Sequence, residues 1–476
     1  MAQSYDLIVI GAGPVGENVA DYATKEGVRC VIVESELVGG ECSYWACMPS
    51  KALLRPGAAL RGARHVEGAK QAVTGGLDAE AVLARRDATV SDFDDGGQVA
   101  WLQSAGIDLV RGVARLDGPK RVVVTAADGG ETVLEARHAV AVCTGSAALV
   151  PPIDGLREAE PWTSREATSA SAVPEHLIVI GGGVVGAEMA TAWTDLGAKV
   201  TLIARGGLLT GMEPFAGELV AEALRAAGAD VRTGTGVTKV ERTGSAVEVT
   251  CDDGSTVRGT EVLVATGRSP RTDGLGLGSV GLEDGGWLGV DDTMLVDAAT
   301  NADDPWLYAV GDVNHRALLT HEGKYQARAA GRVIAARMRG DDPDTGPWTR
   351  YTATADHAAV PQVAFTDPEA ASVGLTEEAA RKAGTRVRTA EYDMASVAGA
   401  SVYDDDYTGR AKLVIDDERD VIVGATFVGT DVGEMLQAAT IAVVGEVPIQ
   451  RLWHAVPAYP TISEVWLRLL ETDGRA

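Results

Sequence analysis

Two copies of one glycine-rich pattern, each directly after an apolar stretch, set the strongest limit on the fold of this chain. The first copy follows residues 6–10 and the second follows residues 176–180. The six glycines are Gly11, Gly13, Gly16, Gly181, Gly183 and Gly186. A buried strand, Gly-x-Gly-x-x-Gly and a helix form the turn at which a parallel sheet holds a dinucleotide pyrophosphate. The pattern therefore predicts an α/β protein with two dinucleotide-binding units.

The residue that ends the next strand of each unit indicates which dinucleotide is held. Strand 29–33 ends in Glu34, and a carboxylate in this place can accept hydrogen bonds from the ribose hydroxyls of an adenosine. Strand 199–203 ends instead in Ala204 and Arg205. An acid there would repel a 2′-phosphate, whereas an arginine can bind one. We therefore expect NADPH at the second site, with NADH less favoured.

Two cysteines separated by four residues follow the first glycine pattern. Residues 39–51 read Gly-Gly-Glu-Cys-Ser-Tyr-Trp-Ala-Cys-Met-Pro-Ser-Lys and contain Cys42 and Cys47. The spacing differs from that of zinc ligands, and no second Cys/His pair is nearby, so we expect no metal. Beside a nucleotide site, the pair is predicted to be a redox-active dithiol. Tyr44 and Trp45 between the cysteines could narrow a cleft, stack on a planar substrate or simply pack.

The charge and apolar runs exclude several classes of partner. The chain has 42 Lys and Arg against 68 Asp and Glu, a net charge of -26. This balance argues against nucleic acid and anionic membranes as partners. No uninterrupted apolar run approaches the length of a membrane span, and the first strand begins too early to leave room for a signal peptide. With few cysteines as well, the sequence predicts a cytoplasmic protein that binds no membrane.

The segment Gly-Gly-x-Cys-x4-Cys-x-Pro-Ser-Lys resembles the active-site segment of the flavoprotein pyridine nucleotide-disulfide oxidoreductases. This family includes dihydrolipoamide dehydrogenase and the glutathione, mycothione and mercuric reductases. The resemblance covers the whole chain in family order. It implies two Rossmann-like domains, for FAD and NAD(P), followed by a C-terminal α+β dimerisation domain, and it implies a homodimeric enzyme. The implied domains are residues 1–150 and 271–345 for FAD, residues 151–270 for NAD(P)H and residues 346–476 for dimerisation.

The same resemblance assigns roles to the residues of the cysteine segment. It implies that Cys47 is the thiolate that faces the flavin and forms a charge-transfer complex with it. Cys42 would be the outer thiol that attacks the substrate. Lys51 matches the family lysine near the flavin N5, and Glu188 after the second glycine pattern matches its glutamate partner. This pair would stabilise negative charge on the reduced flavin.

Three further landmarks resemble strand ends that contact nucleotide in the family. Thr144 and Gly145 end an apolar strand in the predicted FAD domain, and Gly267 ends a corresponding strand in the NAD(P)H domain. Asp312 follows Gly311 and matches the family aspartate that accepts a hydrogen bond from the flavin ribityl chain. His321 matches a position that contributes mainly backbone, so we assign it no chemistry.

The C-terminal segment departs from the family pattern. Disulfide reductases of this family carry His-Pro-Thr-x-Ser-Glu, whose histidine is the acid and base for the outer thiol and whose glutamate orients it. This chain has Tyr459 in place of the histidine and keeps Glu464. A phenol can donate a proton but is a poor base at neutral pH. We expect impaired turnover of ordinary disulfides; His454 could substitute only if the backbone took another course.

These observations lead to one main prediction and two alternatives. The main prediction is an FAD-dependent enzyme that oxidises NADPH and reduces a disulfide or another small electrophile through Cys42 and Cys47. One alternative is a diaphorase-like quinone reductase, in which reduced flavin acts directly on the quinone. The other is an electron-transferring component of a larger complex.

Overall fold

The structure is a computed structural model that describes residues 2–296 and 304–474. The chain divides into two compact units, each built from three segments. The first unit comprises Met1–Met48, Asp87–Ala147 and Arg268–His357. The second unit comprises Pro49–Arg86, Ala148–Gly267 and Ala358–Ala476. The domain limits given by the family resemblance stay a prediction.

The strands of the described chain are numbered in chain order. They are β1 (Gln3–Ile10), β2 (Cys30–Glu34), β3 (Asp108–Arg111), β4 (Val113–Leu116), β5 (Arg121–Thr125), β6 (Glu131–Val142), β7 (Ser146–Ala148), β8 (His176–Ile180), β9 (Lys199–Ala204), β10 (Asp230–Thr233), β11 (Val237–Thr243), β12 (Ala246–Cys251), β13 (Thr256–Gly259), β14 (Glu261–Val264), β15 (Arg268–Pro270), β16 (Leu307–Ala309), β17 (Pro361–Ala364), β18 (Glu369–Gly374), β19 (Val387–Asp393), β20 (Arg410–Asp416) and β21 (Val421–Gly429).

The α-helices are numbered in the same way. They are α1 (Pro14–Lys25), α2 (Gly40–Tyr44), α3 (Cys47–Arg64), α4 (Ala79–Thr89), α5 (Gly96–Ser104), α6 (Ser164–Ser169), α7 (Val184–Asp195), α8 (Pro214–Ala226), α9 (Thr320–Met338), α10 (Glu377–Lys382), α11 (Ala398–Tyr403), α12 (Val432–Val444), α13 (Ile449–Leu452) and α14 (Val465–Asp473).

The first unit is built on one mixed sheet of order β3-β2-β1-β6-β5-β4, with β16 paired to β6. Its central strand β1 is buried on both faces, which explains its unbroken apolar run. Leu7 and Val9 belong to the core on one face, and Ile8 and Ile10 belong to the core on the other. This alternation follows from the two-residue period of a strand. The parallel part of the sheet thus delivers the end of β1 to the first glycine pattern.

The turn signals at residues 117–118 and 128–130 predict a β-meander over residues 107–145, and a further meander is predicted over about residues 230–265. Both predictions are only partly correct. Strands β4, β5 and β6 do form an antiparallel meander, but β3 pairs in parallel with β2. Likewise β11, β12 and β13 form a meander, whereas β10 and β14 join the parallel sheet of β9 and β8. Short apolar runs show where strands lie but not which strand they pair with, because pairing is decided by tertiary packing.

The second unit contains a parallel sheet of order β10-β9-β8-β14 and the antiparallel sheet β11-β12-β13. It also contains a five-stranded antiparallel sheet of order β17-β18-β21-β20-β19. The C-terminal sequence predicts strands near residues 410–415 and 421–428 and a helix from residue 434 to about residue 444. The two strands are β20 and β21 of this last sheet, and the helix is α12. Helix α12 packs on β18 and β21, so the C-terminal part is α+β, as predicted.

Helix α1 begins earlier than the sequence pattern predicted. The sequence after the first glycine pattern is compatible with a helix over residues 17–25, but the first helical residue is Pro14 and Gly13 is the N-cap. Proline is favoured at the first helical position because the missing N–H would have no intrahelical partner there. The helix therefore starts directly at the glycine pattern and directs its free N–H groups there.

A short turn between α4 and α5 has an uncommon backbone. Ser91, Asp92 and Phe93 have φ angles of 52°, 51° and 59°. The left-handed conformation costs a residue with a side chain roughly 1–2 kcal/mol. Three such residues in succession need support from their surroundings, and the turn is hydrogen-bonded at both ends.

Candidate functional site

The first glycine pattern forms a turn that side chains would block. A Cβ atom on Gly11 would lie 2.5 Å from the carbonyl oxygen of Cys143, and one on Gly16 would lie 1.9 Å from the oxygen of Gly11. Gly13, by contrast, faces open space and caps α1. An open backbone at the N-terminus of a 12-residue helix is suited to an anion such as a pyrophosphate.

Polar groups at the neighbouring strand ends complete this part of the first unit. The Glu34 carboxylate at the end of β2 accepts a hydrogen bond from the Ala12 N–H at 2.7 Å. The Thr144 hydroxyl oxygen is buried and has no hydrogen-bond partner among the described residues. Asp312 accepts a 2.5 Å hydrogen bond from the Ser146 hydroxyl. A buried hydroxyl that awaits a partner, beside an open glycine turn, fits a bound nucleotide.

The two redox-segment cysteines are thiols on successive helices. Cys42 lies in α2 and Cys47 is the first residue of α3, and neither is in a disulfide. The Cys47 sulfur lies 3.4 Å from the hydroxyl oxygen of Thr320, the first residue of α9. The N-termini of two long helices thus meet at this sulfur. Because a helix N-terminus carries partial positive charge, both favour a thiolate over a thiol.

Two arginines that follow β14 in sequence organise the same region of the first unit. Arg271 donates a 2.7 Å hydrogen bond to the carboxylate of Glu41, the residue before Cys42. Arg268 donates to the hydroxyl of Ser146 at 2.6 Å and to its carbonyl at 2.7 Å. Ser146 in turn bonds Asp312. The sequence analysis did not assign these roles, although Arg268 follows directly after the Gly267 landmark.

The second glycine pattern repeats the geometry of the first one. A Cβ atom on Gly181 would lie 2.2 Å from the oxygen of Ala265, and one on Gly186 would lie 2.0 Å from the oxygen of Gly181. Gly183 faces open space and caps the 12-residue helix α7. Arg205 is exposed directly after β9. The second unit therefore offers its own open helix N-terminus for an anion, with a cation at the adjacent strand end.

Another landmark residue lies at the edge of the second unit's core. Gly267 has a φ angle of 147°, and its carbonyl accepts a 2.9 Å hydrogen bond from the Leu149 N–H. The Thr266 hydroxyl donates to the Leu149 carbonyl at 3.1 Å. These two bonds tie the end of the parallel sheet to the chain that enters the unit.

Lys51 and Glu188, predicted as a pair, form an ion pair inside the second unit. The Lys51 ammonium lies 2.7 Å from one Glu188 oxygen, and the Glu188 side chain is 3% exposed. The other Glu188 oxygen accepts a hydrogen bond from the Phe365 N–H at 3.0 Å. The ammonium lies 4.8 Å from the centroid of the Phe365 ring. Sequence reasoning missed Phe365 because no local pattern relates it to Lys51.

The C-terminal residues differ in their exposure. Tyr459 is 76% exposed, and His454 is exposed as well. Glu464 is buried and accepts a 3.3 Å hydrogen bond from the Gly399 N–H at the start of α11. Glu464 therefore holds backbone of its own chain.

A buried pair of carboxyl groups in the first unit was not expected from the sequence. Glu322 and Asp356 are buried carboxyl groups of this unit, and each has a buried oxygen without a hydrogen-bond donor among the described residues. Burial, followed by the contact with Asp356, raises the pKa of Glu322 to about 8. Asp356 also accepts a 2.8 Å hydrogen bond from Gln326, which binds the Gly311 N–H beside Asp312.

Glu17 on α1 is a second carboxyl group of unusual environment. Burial raises its pKa to about 7, with Lys324 opposing this shift and Glu34 adding to it. Local sequence could not reveal either acid, because burial and unfavourable neighbours act only in the folded chain.

The described residues contain neither a cluster of metal-ligating side chains nor a helix that could span a membrane. Within residues 2–296 and 304–474, no three His, Cys, Asp or Glu side chains are grouped so that they could hold a metal ion. In the same part of the chain, no helix combines the length and apolar character needed to cross a bilayer.

Most of the chain matches the models of one known protein family. Residues 5–334 match the family model described as pyridine nucleotide-disulphide oxidoreductase, and residues 360–469 match the dimerisation domain of that family. Mercuric reductase of Acidithiobacillus ferrooxidans is 32% identical over 467 residues, which are 97% of this chain and 81% of that protein. Dihydrolipoyl dehydrogenase of Thermus scotoductus is 33% identical over 480 residues, which are 97% of this chain and 96% of that protein.

Solved structures agree with this relationship. LpdA from Mycobacterium tuberculosis superimposes with a TM-score of 0.81 at 25% identity, covering 99% of each chain. The flavoprotein disulfide reductase RclA from Escherichia coli has the same fold, with a TM-score of 0.82 at 23% identity and 99% of each chain covered. The predicted fold class, with its nucleotide-binding domains and C-terminal dimerisation domain, is confirmed. The chain belongs to the pyridine nucleotide-disulphide oxidoreductase family and is an NAD(P)H-dependent flavoprotein disulfide oxidoreductase.

Proposed function

We propose that this enzyme takes reducing equivalents from NADPH, passes them through FAD to the Cys42 and Cys47 pair, and reduces a disulfide or another small electrophile. The observation that carries the proposal is the position of the Cys47 sulfur at the N-termini of α3 and α9. These helix ends favour the thiolate that a redox dithiol needs.

The residues of the first unit suit an FAD. Its pyrophosphate would lie at Gly13, where the backbone is open at the N-terminus of α1. Glu34 and Asp312 supply carboxylates for sugar and ribityl hydroxyls, and Thr144 offers a buried hydroxyl without a partner among the described residues. When bound, FAD accepts a hydride from the pyridine nucleotide and transfers an electron pair to a disulfide.

The dithiol then acts in two exchange steps. The Cys42 thiolate attacks one sulfur of the substrate disulfide, which forms a mixed disulfide and releases the first substrate thiolate. The Cys47 thiolate next attacks the Cys42 sulfur, which restores the Cys42–Cys47 disulfide and releases the second substrate thiolate. Two electrons leave the protein in all, and each released thiolate takes up one proton. The Tyr459 phenol is a candidate donor for that proton.

Arg205 supports NADPH as the donor. It stands where a carboxylate would bind the ribose diol of NADH, and its exposed guanidinium can form charge-assisted hydrogen bonds with a 2′-phosphate. NADH lacks that phosphate and would gain nothing from the arginine. The pyrophosphate of the donor would lie at Gly183, on the N-terminus of α7.

The missing histidine argues for a substrate other than lipoamide or glutathione disulfide. A phenol is a poor base at neutral pH, so the proposed exchange would begin from a thiol that is already ionised or end with a substrate whose thiolate leaves readily. The same substitution favours a second candidate function, direct reduction of a quinone by the reduced flavin. That reaction needs neither cysteine.

The protein is also proposed to be a homodimer. Residues 360–469 match a dimerisation domain. That domain carries large apolar side chains at the protomer surface, including Ile441 and Val456. Exposed apolar side chains on a matched dimerisation domain are suited to an interface between copies of this chain.

The test compares the native protein with Cys42→Ser and Cys47→Ser variants, purified with their flavin. Reduction of an aryl disulfide by NADPH should fall by at least about 100-fold in both variants, because each removes one of the exchanging thiolates. Activity with a naphthoquinone should stay within about twofold of the native rate. Activity with NADPH should exceed that with NADH.

Two outcomes would contradict the proposal. A protein purified without flavin would remove the proposed electron path. Disulfide reduction that persists in Cys42→Ser would show that the dithiol is not the route to the substrate, and would leave the quinone reductase as the better account.

A further inference from the structure

The two residues that follow the left-handed turn between α4 and α5 are hydrogen-bonded to the cysteine segment. The Tyr44 hydroxyl donates to the Val38 carbonyl at 3.1 Å and lies 3.4 Å from the Asp94 carbonyl. The Asp95 carboxylate accepts a 2.7 Å hydrogen bond from the Val38 N–H. These contacts tie residues 94–95 to residues 38–44. The turn and the cysteine segment are therefore fixed to each other.

The side chain that this turn presents is Phe93, and it contacts Trp45. The ring centroids of Phe93 and Trp45 lie 6.4 Å apart, and the rings are inclined by 31°. The ring centroids of Trp45 and Tyr44 lie 5.6 Å apart. Tyr44 is buried, whereas Trp45 and Phe93 both keep part of their surface exposed. The pair thus offers aromatic surface that the protomer does not cover.

Trp45 is close to the outer thiol in the chain. It follows Cys42 by three residues and caps α2 by donating its N–H to the Glu41 carbonyl at 2.8 Å. The aromatic surface of Trp45 and Phe93 therefore begins within three residues of the sulfur that the proposed function assigns to the substrate.

Packing alone does not explain this arrangement. A turn that only connected α4 to α5 could place glycine at its left-handed positions, as the chain does in many other turns. Here three residues with side chains occupy them, and the result is a half-exposed phenylalanine against a half-exposed tryptophan. Backbone strain that the surroundings maintain concentrates at binding and catalytic sites.

We propose that Trp45 and Phe93 form a stacking subsite for a planar aromatic ring of the electrophile reduced by this enzyme. The inference rests on the proposed function, and it names aromatic electrophiles as the substrate class. Planar aromatic rings stack favourably on tryptophan and phenylalanine, whereas a flexible aliphatic chain has no ring that can stack. Two kinds of electrophile carry such a ring, aryl disulfides and quinones. The Cys42→Ser variant distinguishes them, because only disulfide reduction should require Cys42.

The test uses two dianionic disulfides that differ in aromaticity, 5,5′-dithiobis(2-nitrobenzoate) and 3,3′-dithiodipropionate. In the holoenzyme, Trp45→Leu and Phe93→Leu should each raise KM for the aryl disulfide about fivefold to tenfold while leaving kcat nearly unchanged. KM for the aliphatic disulfide should stay unchanged in both. The Trp45→Phe variant keeps an aromatic ring at this position, so its KM for the aryl disulfide should stay close to the native value. Trp101→Leu, at another exposed tryptophan of the same unit, is the matched control and should change neither substrate.

Binding without turnover separates this inference from the proposed function. Calorimetric titration with 4,4′-oxydibenzoate, an aryl dianion without a reducible bond, should show weaker binding to Trp45→Leu than to the native holoenzyme. This result would support the subsite even if Cys42→Ser kept full activity and the dithiol route failed. Equal binding, or equal changes in KM for both disulfides, would overturn the subsite and leave Trp45 and Phe93 as packing residues only.

Discussion

At the scale of single residues, the helix ends at Cys47 and the phenol at position 459 would act on different halves of the proposed thiol exchange. Thr320 and the two helix N-termini favour ionisation of Cys47 inside the first unit. Tyr459 is exposed on the protomer surface, and a phenol is a poor base at neutral pH. In the proposed exchange, thiol activation therefore depends on local helix geometry more than on a base.

Restoring the family histidine should increase the rate on poor substrates. In Tyr459→His, kcat with 3,3′-dithiodipropionate should rise by about tenfold or more, because an imidazole both accepts and donates protons near pH 7. Tyr459→Phe is the control and should not exceed the native rate. Steady-state kinetics at pH 7 measure the effect, and equal rates for all three proteins would mean that position 459 takes no part in exchange.

At the scale of elements, the two units contain the same strand–turn–helix motif. Both place a sterically closed glycine turn between a strand and a helix, and both leave the capping glycine open. The turn at residues 91–93 is different, since it carries strain where glycine would relieve it.

Glycine at the first strained position should stabilise the protein. Ser91→Gly removes the cost of a left-handed residue with a side chain but increases the freedom of the unfolded chain, so a net gain of about 0.5–1 kcal/mol is expected. The midpoint of urea unfolding of the holoenzyme measures it. Ser104→Gly in α5, where φ is not positive, is the control and should give no gain. A loss of stability in Ser91→Gly would show that the turn is not strained.

At the scale of the whole molecule, the pH dependence of stability and the proposed self-association involve groups spread over the chain. Burial and the contact with Asp356 raise the pKa of Glu322 in the first unit. Apolar side chains remain exposed on the matched dimerisation domain. Each feature leads to one prediction.

Stability should fall as pH rises through the neutral range. Burial and then Asp356 raise the pKa of Glu322 from 4.5 to about 8, so between these values the folded state binds more protons than the unfolded state. Free energy of unfolding then decreases with pH, by up to about 1.4 kcal/mol per pH unit for one proton. Glu322→Gln should flatten this slope between pH 5 and pH 8, as measured by urea unfolding at several pH values; an unchanged slope would exclude Glu322 as its source.

A charge on the dimerisation domain should yield monomers. Ile441 is 60% exposed in the protomer, and Ile441→Asp would place a carboxylate in an apolar interface. Analytical ultracentrifugation should show a dimer for the native protein and a shift towards monomer for the variant. Val113→Asp is the matched control, because Val113 is 62% exposed but lies outside the dimerisation domain. A native monomer, or equal behaviour of both variants, would contradict the proposed dimer.

The sequence by itself determined the family, the α/β class and the course of the two glycine turns. These depend on local features: an unbroken apolar run in β1, glycine at fixed spacing, and a strand end at Glu34 or Arg205. Such features bias the backbone over a few residues, so they can be read without knowing what lies elsewhere in the chain.

Only the tertiary structure decided which distant residues meet. Thr320 reaches Cys47 across 273 positions, and the Phe365 N–H reaches Glu188 across 177. The same holds for the parallel pairing of β3 with β2 and for the carboxyl pair of Glu322 with Asp356. No local period encodes these contacts, because they arise when buried faces pack against one another and close long loops of chain.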